Sequence, residues 1–215
     1  MTEPRVKICG LTGLEDAEAA LDLGAWALGC VMWEGSPRAC DPAQAQLIAR
    51  RLGRRAPVCG VFVDQPLDDV ARITEAIGFN MVQLHGDEGP SYCEELGRRT
   101  GASIVKAGRV GSAADLRDIE RFRNVDYHLL DTRRTGLPGG TGESWDWSLA
   151  SRRSSPVPLI VSGGLDAENV AEAIDLTRPF AVDVASGVES SPGVKDEQLI
   201  RDFMAAVAES APVVP

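Results

Sequence analysis

The chain has no surplus of positive charge: 22 Lys and Arg stand against 32 Asp and Glu, for a formal net charge of −10 and a sequence pI near 4.7. Nucleic acid and anionic membrane surfaces both demand a basic footprint, so neither is an expected partner. A small anionic ligand is not excluded, because a few backbone N–H groups hold a phosphate without extra lysine. No run of about 18 apolar residues occurs, which removes a membrane-spanning helix. The opening Met-Thr-Glu-Pro-Arg lacks a basic segment followed by a long apolar stretch. No signal peptide is therefore expected, and the cytoplasm is the default location. There is no C-x-x-C pair. The five cysteines (Cys9, Cys30, Cys40, Cys59 and Cys93) are scattered and do not cluster with histidine, so neither a metal site nor a disulfide framework is expected. A reducing compartment is the simpler reading. No G-x-G-x-x-G follows the first strand-like run, which argues against a nicotinamide cofactor; no cofactor of any kind is expected.

What is present is an ordinary globular composition, 44% hydrophobic and 25% charged over 215 residues, enough for one domain spanning 1–215. Short apolar runs alternate with amphipathic stretches throughout. Strands are expected at residues 6–9, 27–32, 58–63, 81–84, 104–107, 127–131, 159–161 and 181–184. Apolar residues at three- and four-residue spacing predict helices at 14–23, 42–52, 67–77, 90–99, 113–122, 167–174 and 197–207. Pro42, Pro66 and Pro90 fall at or near helix starts, where the missing N–H is harmless. After the sixth strand the helical signal fails. Residues 132–144 are glycine-rich and hydrophilic, a loop expected to close over a substrate, with room for a short helix after Trp145. Eight strand–crossover units demand parallel pairing. In just over 200 residues they suit an α/β fold of the (β/α)8 TIM-barrel type, with a doubly wound open sheet as the rival.

Polar residues and glycines gather at the C-terminal strand ends, which in a barrel converge on one face. They are Lys7, Cys9 and Gly10; Ser36-Pro37-Arg38; Gln83, His85 and Gly86; Asp131; Ser162-Gly163-Gly164; and Asp183 through Gly187. Three late glycine turns, Gly139-Gly140-Thr141-Gly142, Gly163-Gly164 and Ser186-Gly187, either make tight turns or present N–H groups to a phosphate. Their succession after consecutive strands favours phosphate. Lys7 and Cys9 project the same way along one strand, and a nearby ammonium would lower the thiol pKa. Cys9 is then a candidate base or nucleophile, against the plain reading of a buried structural cysteine. Asp131 is either a desolvated general acid or the cap of the next turn. Arg38 could clamp a carboxylate or be a solvated surface charge. His85 and Asp183 are either ligand contacts or satisfied rim groups. His128, out of phase with Asp131, is expected to be packed.

The ordered set Lys7-Ile8-Cys9-Gly10-Leu11-Thr12, Ser36-Pro37-Arg38, Gly60-Val61-Phe62-Val63, Val82-Gln83-Leu84-His85-Gly86, Leu130-Asp131-Thr132, Gly139-Gly140-Thr141-Gly142 with Trp145-Asp146-Trp147, Ser162-Gly163-Gly164-Leu165 with Asn169-Val170, and Asp183 through Glu189 with Pro192-Gly193 and Lys195-Asp196 resembles the phosphoribosylanthranilate isomerases. The resemblance runs across nearly the whole chain. It implies an Amadori rearrangement of a phosphoribosylated anthranilate in tryptophan biosynthesis, a phosphorylated small molecule as the partner, and a monomer or homodimer. By this resemblance Asp131 is the general acid and Cys9 the general base. Arg38 holds the anthranilate carboxylate; Lys7, Gln83, His85 and Asp183 are further substrate contacts; and Gly140, Thr141, Gly142, Gly163, Gly164, Ser186 and Gly187 hold the phosphate. Two departures stand out. Glu143 occupies a position where relatives carry basic or neutral residues, and Ala185 replaces a common serine. Both bear on phosphate affinity. Three rival functions remain open to the sequence. A related phosphosugar barrel, such as the histidine-pathway isomerase or a bifunctional relative, is expected to use an aspartate where Cys9 stands. A non-catalytic barrel would bind a phosphometabolite without turning it over. The same chemistry could also serve a specialised pathway.

Overall fold

The computed structural model describes residues 4–132 and 146–210. Eight parallel strands close into a barrel in chain order: β1 (Arg5–Cys9), β2 (Ala27–Val31), β3 (Val58–Phe62), β4 (Met81–Leu84), β5 (Ser103–Val110), β6 (Tyr127–Thr132), β7 (Leu159–Val161) and β8 (Ala181–Val184). The barrel shuts where Lys7 of β1 pairs with Asp183 of β8. Closure discards the open-sheet rival. Helices α1 (Leu14–Asp22), α2 (Pro42–Leu52), α3 (Leu67–Ile77), α4 (Pro90–Thr100) and α5 (Ala113–Ile119) follow the first five strands. A 3-10 helix at Trp147–Arg152 follows β6, and α6 (Val170–Thr177) follows β7. After β8 come a short 3-10 turn, the antiparallel pair β9 (Glu189–Ser191) and β10 (Val194–Lys195), and α7 (Glu197–Glu209).

The strand period of two sorts side chains into two cores. Cys59, Val61, Met81, Val105, Ala107, Leu129, Ile160 and Ala181 fill the barrel interior. Their neighbours Ile8, Leu28, Phe62, Leu84, Leu130, Val161 and Val182 face outward, under the helices. Each fully buried Leu, Ile or Phe contributes roughly 1.5–3 kcal/mol, and both strand faces collect it, which explains the near-continuous apolar runs. Trp26, Tyr127 and Phe180 pack edge-on and tilted at the N-terminal end, with Arg5 over two of the rings.

Local chemistry sets the helix starts. Asp41 Oδ1 accepts from Ala43 and Gln44 N–H, and Pro42 opens α2. Pro90 opens α4, and Pro66 is the N-cap of α3. Three boundaries differ from expectation for identifiable reasons. Helix α6 starts at Val170 rather than 167 because Asp166 and Asn169 hydrogen-bond each other reciprocally and Asn169 Nδ2 donates to Gly164 O. Helix α5 stops at Ile119 rather than 122; Phe122 turns away, its ring under Lys106 and its carbonyl against His128. Strand β5 runs on to Val110, pairing through Arg109 and Asp131. Gly108 allows the extension by letting Ile119 sit within 3.2 Å of where a Cβ would be.

Candidate active site

The strand ends converge as the barrel geometry requires. Cys9, Arg38, Gln83, His85, Asp131, Gly163, Gly164, Asp183 and Ser186 line one cleft at the C-terminal face, about 760 Å³ including its mouth. Val31, Trp33, Val61, Val63 and Leu165 supply an apolar wall to the same space.

Below the floor, Lys7 Nζ donates to Asp183 Oδ1 at 2.7 Å, and Ser162 Oγ donates to Asp183 Oδ2 at 3.0 Å. Lys7 is fully buried. It does not line the cleft and stands beneath it as the counter-ion of Asp183. Burial alone would lower its pKa, but Asp183 and the thiols of Cys9 and Cys59 outweigh that and hold it above the ordinary lysine range. Gly29 of β2 is needed here. A Cβ on it would lie 2.8 Å from Cys9 Sγ and 3.2 Å from Lys7 Nζ.

Lys7 does act on Cys9 in the expected direction, but it does not set the outcome. Burial pushes the Cys9 thiol up; Lys7 pulls it down; Asp183 adds to the upward push. The net direction is up because burial of the thiol outweighs the pull of the ammonium, with the Asp183 charge adding to the rise. Cys9 therefore rests as a thiol at neutral pH.

Asp131, the penultimate residue of β6, is buried, with Oδ1 accepting from the N–H of Thr132 at 2.7 Å. The carboxyl is thus both buried and hydrogen-bonded to the backbone of the residue that follows it. Its Oδ2 lies 3.2 Å from His85 Nε2, a close approach short of hydrogen-bond alignment. Gln83 Nε2 sits 2.9 Å from His85 Nδ1. Gly163, at φ +92, brings the β7 loop against this carboxyl. A Cβ there would fall 2.6 Å from Asp131 Oδ1.

Arg38 is buried rather than solvated. Its Nε and Nη2 form a fork on Glu189, with contacts of 2.7–3.0 Å. Lys195 Nζ joins Glu189 Oε1 at 2.8 Å and donates to Ala185 O at 3.0 Å. Burial would raise the Glu189 carboxyl, but the two cations outweigh it and hold it below the ordinary range. Burial lowers Lys195, although Glu189 opposes this. Thr12 Oγ1 donates to Gly193 O, tying the β9–β10 hairpin to the β1 loop.

Ser186, Gly163 and Gly164 lie together at the cleft, the two glycines at φ +92 and +68. Gly187 does not line it. A Cβ at Gly187 would stand 2.0 Å from Leu165 O, so a glycine is needed there for the loop to pass this close to Leu165. Gly140, Thr141, Gly142 and Glu143 lie outside the described residues. His128 is packed as expected, between Phe122 O at 2.7 Å and Arg153 Nη2 at 3.1 Å. Sequence reasoning assigned no role to Trp33, Arg109, Glu189 or Lys195. Only the ordered motif around 183–196 pointed towards the last two.

The chain as a whole has counterparts among known proteins. The family model described as N-(5'phosphoribosyl)anthranilate (PRA) isomerase matches residues 6–206. The N-(5'-phosphoribosyl)anthranilate isomerase of Rubrobacter xylanophilus is 43% identical over 202 residues, covering 94% of this chain and 98% of that protein. The enzyme of the same name from Chromohalobacter salexigens is 44% identical over 211 residues, 98% of this chain and 97% of that one. Among solved structures, phosphoribosyl anthranilate isomerase from Thermotoga maritima superposes with a TM-score of 0.86 at 37% identity, covering 96% of this chain and 99% of that one. A phosphoribosyl anthranilate isomerase in complex with reduced 1-(o-carboxyphenylamino)-1-deoxyribulose 5-phosphate gives a TM-score of 0.83, also at 37% identity and with the same coverage. The match spans nearly the full length of every one of these proteins: this chain belongs to the N-(5'-phosphoribosyl)anthranilate isomerase family.

Proposed function

We infer that this chain is the isomerase converting N-(5-phosphoribosyl)anthranilate to 1-(2-carboxyphenylamino)-1-deoxyribulose 5-phosphate in tryptophan biosynthesis. The observation that carries the reading is one cleft holding a buried carboxyl, Asp131 of β6, and a buried thiol, Cys9 of β1. Asp131 gives its proton to the ribose ring oxygen; the ring opens and the nitrogen lone pair forms an iminium. Cys9, as thiolate, takes the C2′ proton, and the enolamine formed tautomerises to the ketone. A group that gives a proton and a group that takes one are both needed. Cys9 must first lose its own proton to solvent. The iminium favours that loss, since a positive charge nearby stabilises the thiolate.

Arg38 is proposed to meet the anthranilate carboxylate through Nη1, because Nε and Nη2 are taken by Glu189. Trp33 and Val31 give the aromatic ring an apolar wall. The N–H groups around Gly163, Gly164 and Ser186 are proposed to receive the phosphate, joined by Gly140, Thr141 and Gly142 from outside the described residues. Ala185 lines the cleft beside them and brings no hydroxyl. Gln83, His85 and Asp183 are proposed to face the bound substrate, while Lys7 acts from beneath through Asp183. We further take residues 1–215 as one barrel domain, monomeric or homodimeric and cytoplasmic. This accords with five unpaired cysteines and with the fact that no helix among the described residues is long and apolar enough to cross a membrane.

The test is loss of substrate fluorescence with freshly made phosphoribosylanthranilate, above its spontaneous decomposition. Cys9→Ala and Asp131→Asn should each lower turnover at least about a hundredfold, as expected for loss of an acid or base. Near-native turnover in either variant would refute its role.

A further inference from the structure

We propose that His85 is a positioning residue for Asp131, locked by Gln83 in the tautomer that carries its proton on Nε2. The inference rests on the acid role of Asp131 proposed above. His85 stands at the rim just beyond β4 and is fixed from several sides. Gln83, two residues earlier and 2% exposed, sets its amide nitrogen 2.9 Å from Nδ1. An amide N–H there requires Nδ1 to accept. The imidazole proton of neutral His85 then sits on Nε2, which lies 3.2 Å from Asp131 Oδ2. Arg109 Nη2 donates to the His85 carbonyl at 3.2 Å. The next residue is pinned as well. Glu88 accepts from Gly86 N–H at 3.0 Å and is itself held by Lys106 Nζ at 2.7 Å, in a buried ion pair. Backbone and ring are therefore both fixed before any ligand arrives.

The tautomer decides what His85 can do. With hydrogen on Nε2 it cannot accept the Asp131 proton, so that proton remains available to the substrate. Once the proton has left, the carboxylate has a donor at each oxygen: the Thr132 N–H at Oδ1, 2.7 Å away, and His85 Nε2–H at Oδ2. No proton leaves the imidazole. The opposite amide orientation would place Gln83 Oε1 against Nδ1–H and turn the Nε2 lone pair onto Asp131. In that arrangement a protonated Asp131 would hydrogen-bond to His85 and be less available to the ring oxygen. The 3.2 Å approach lacks full alignment in the free protein; tightening on substrate binding is usual for catalytic hydrogen bonds.

Nitrogen-15 NMR of protein labelled in its two histidines reads the tautomer directly, and a His128→Gln variant assigns the remaining signal. We expect His85 protonated on Nε2 at pH 8, and a shift towards a mixture in Gln83→Leu. A His85 protonated on Nδ1 overturns the proposal. In kinetics, His85→Ala should lower kcat about tenfold to a hundredfold, the worth of a hydrogen bond to a charged group, with KM changed less than about twofold. His85→Gln, whose amide N–H reaches towards where Nε2 stood, should recover most of the loss. A raised KM with kcat retained in His85→Ala would mean that His85 binds substrate only, and the proposal fails. Full activity in Asp131→Asn would remove the acid on which the proposal depends. The NMR result reads separately from activity, so the two failures are distinguishable.

Discussion

The buried pair Lys7–Asp183 offers the sharpest energetic prediction. Side-chain exposure is 0% for Lys7 and 6% for Asp183, at a separation of 2.7 Å, so the weak values of exposed ion pairs do not apply. Lys7→Met leaves Asp183 with the Ser162 hydroxyl but without its cation, and Asp183→Leu leaves a buried ammonium without its counter-ion. Each single change should cost about 3–5 kcal/mol, the penalty for orphaning one charge of a buried pair. The double variant Lys7→Met/Asp183→Leu removes both charges and should lie within about 2 kcal/mol of the parent, far from the sum of the singles. Urea unfolding followed by tryptophan fluorescence measures all four proteins. Because the folded-state pKa of Lys7 is raised, its stabilising contribution is fully present below the unfolded lysine value of roughly 10.4. It is lost only as pH rises through the still higher folded value, so the cycle should look alike at pH 6 and pH 9. Singles costing under about 1 kcal/mol, or a double variant as unstable as the sum, would refute the claim that mutual burial of opposite charges governs this floor.

Because burial raises the Cys9 thiol, the ultraviolet thiolate absorbance that Cys9→Ala removes should appear only above the ordinary thiol value of roughly 8.5; its presence at pH 7 would contradict the thiol resting state. Gly29→Ala would push a methyl to within 2.8 Å of Cys9 Sγ. It should cost about 1–3 kcal/mol by overpacking and depress kcat, and a variant with native kcat would show that Cys9 has slack. His128 is held neutral, its pKa lowered by burial although the Phe122 carbonyl opposes this. Between that lowered value and the unfolded value of roughly 6.5, the unfolded chain binds more protons, so stability falls as pH falls. His128→Gln should flatten the dependence of Tm on pH between 5 and 7; an unchanged slope would assign that dependence to other groups.

Much of the scaffold is legible in residue order because its signals are local. The runs at 81–84, 159–161 and 181–184 match their strands residue for residue, since each is a short apolar stretch ended by glycine, polar residues or helix period. Helices α2 and α3 match at both ends because a proline starts each pattern and a glycine closes it. Where a boundary moved, as at Phe122 and Val170, a contact with a distant residue or a side-chain turn had overridden the periodicity.

By itself, the sequence determined the alternation that makes a parallel α/β fold, and the polar residues at the strand ends from which a barrel site is assembled. Cys9 and Asp131 are candidates on that ground alone. Only the tertiary structure decided how their chemistry is tuned. Along the strand Lys7 is placed as the cation to activate Cys9, yet Asp183, 176 residues away, neutralises it, and burial then pushes the thiol up instead of down. Arg38 has the whole of its guanidinium to offer a ligand in the linear chain, yet Glu189, 151 residues away, occupies two of its nitrogens. Strand and helix patterns come from neighbours in the chain, which sequence order records. Charge states come from desolvation and from partners brought close only when the barrel closes.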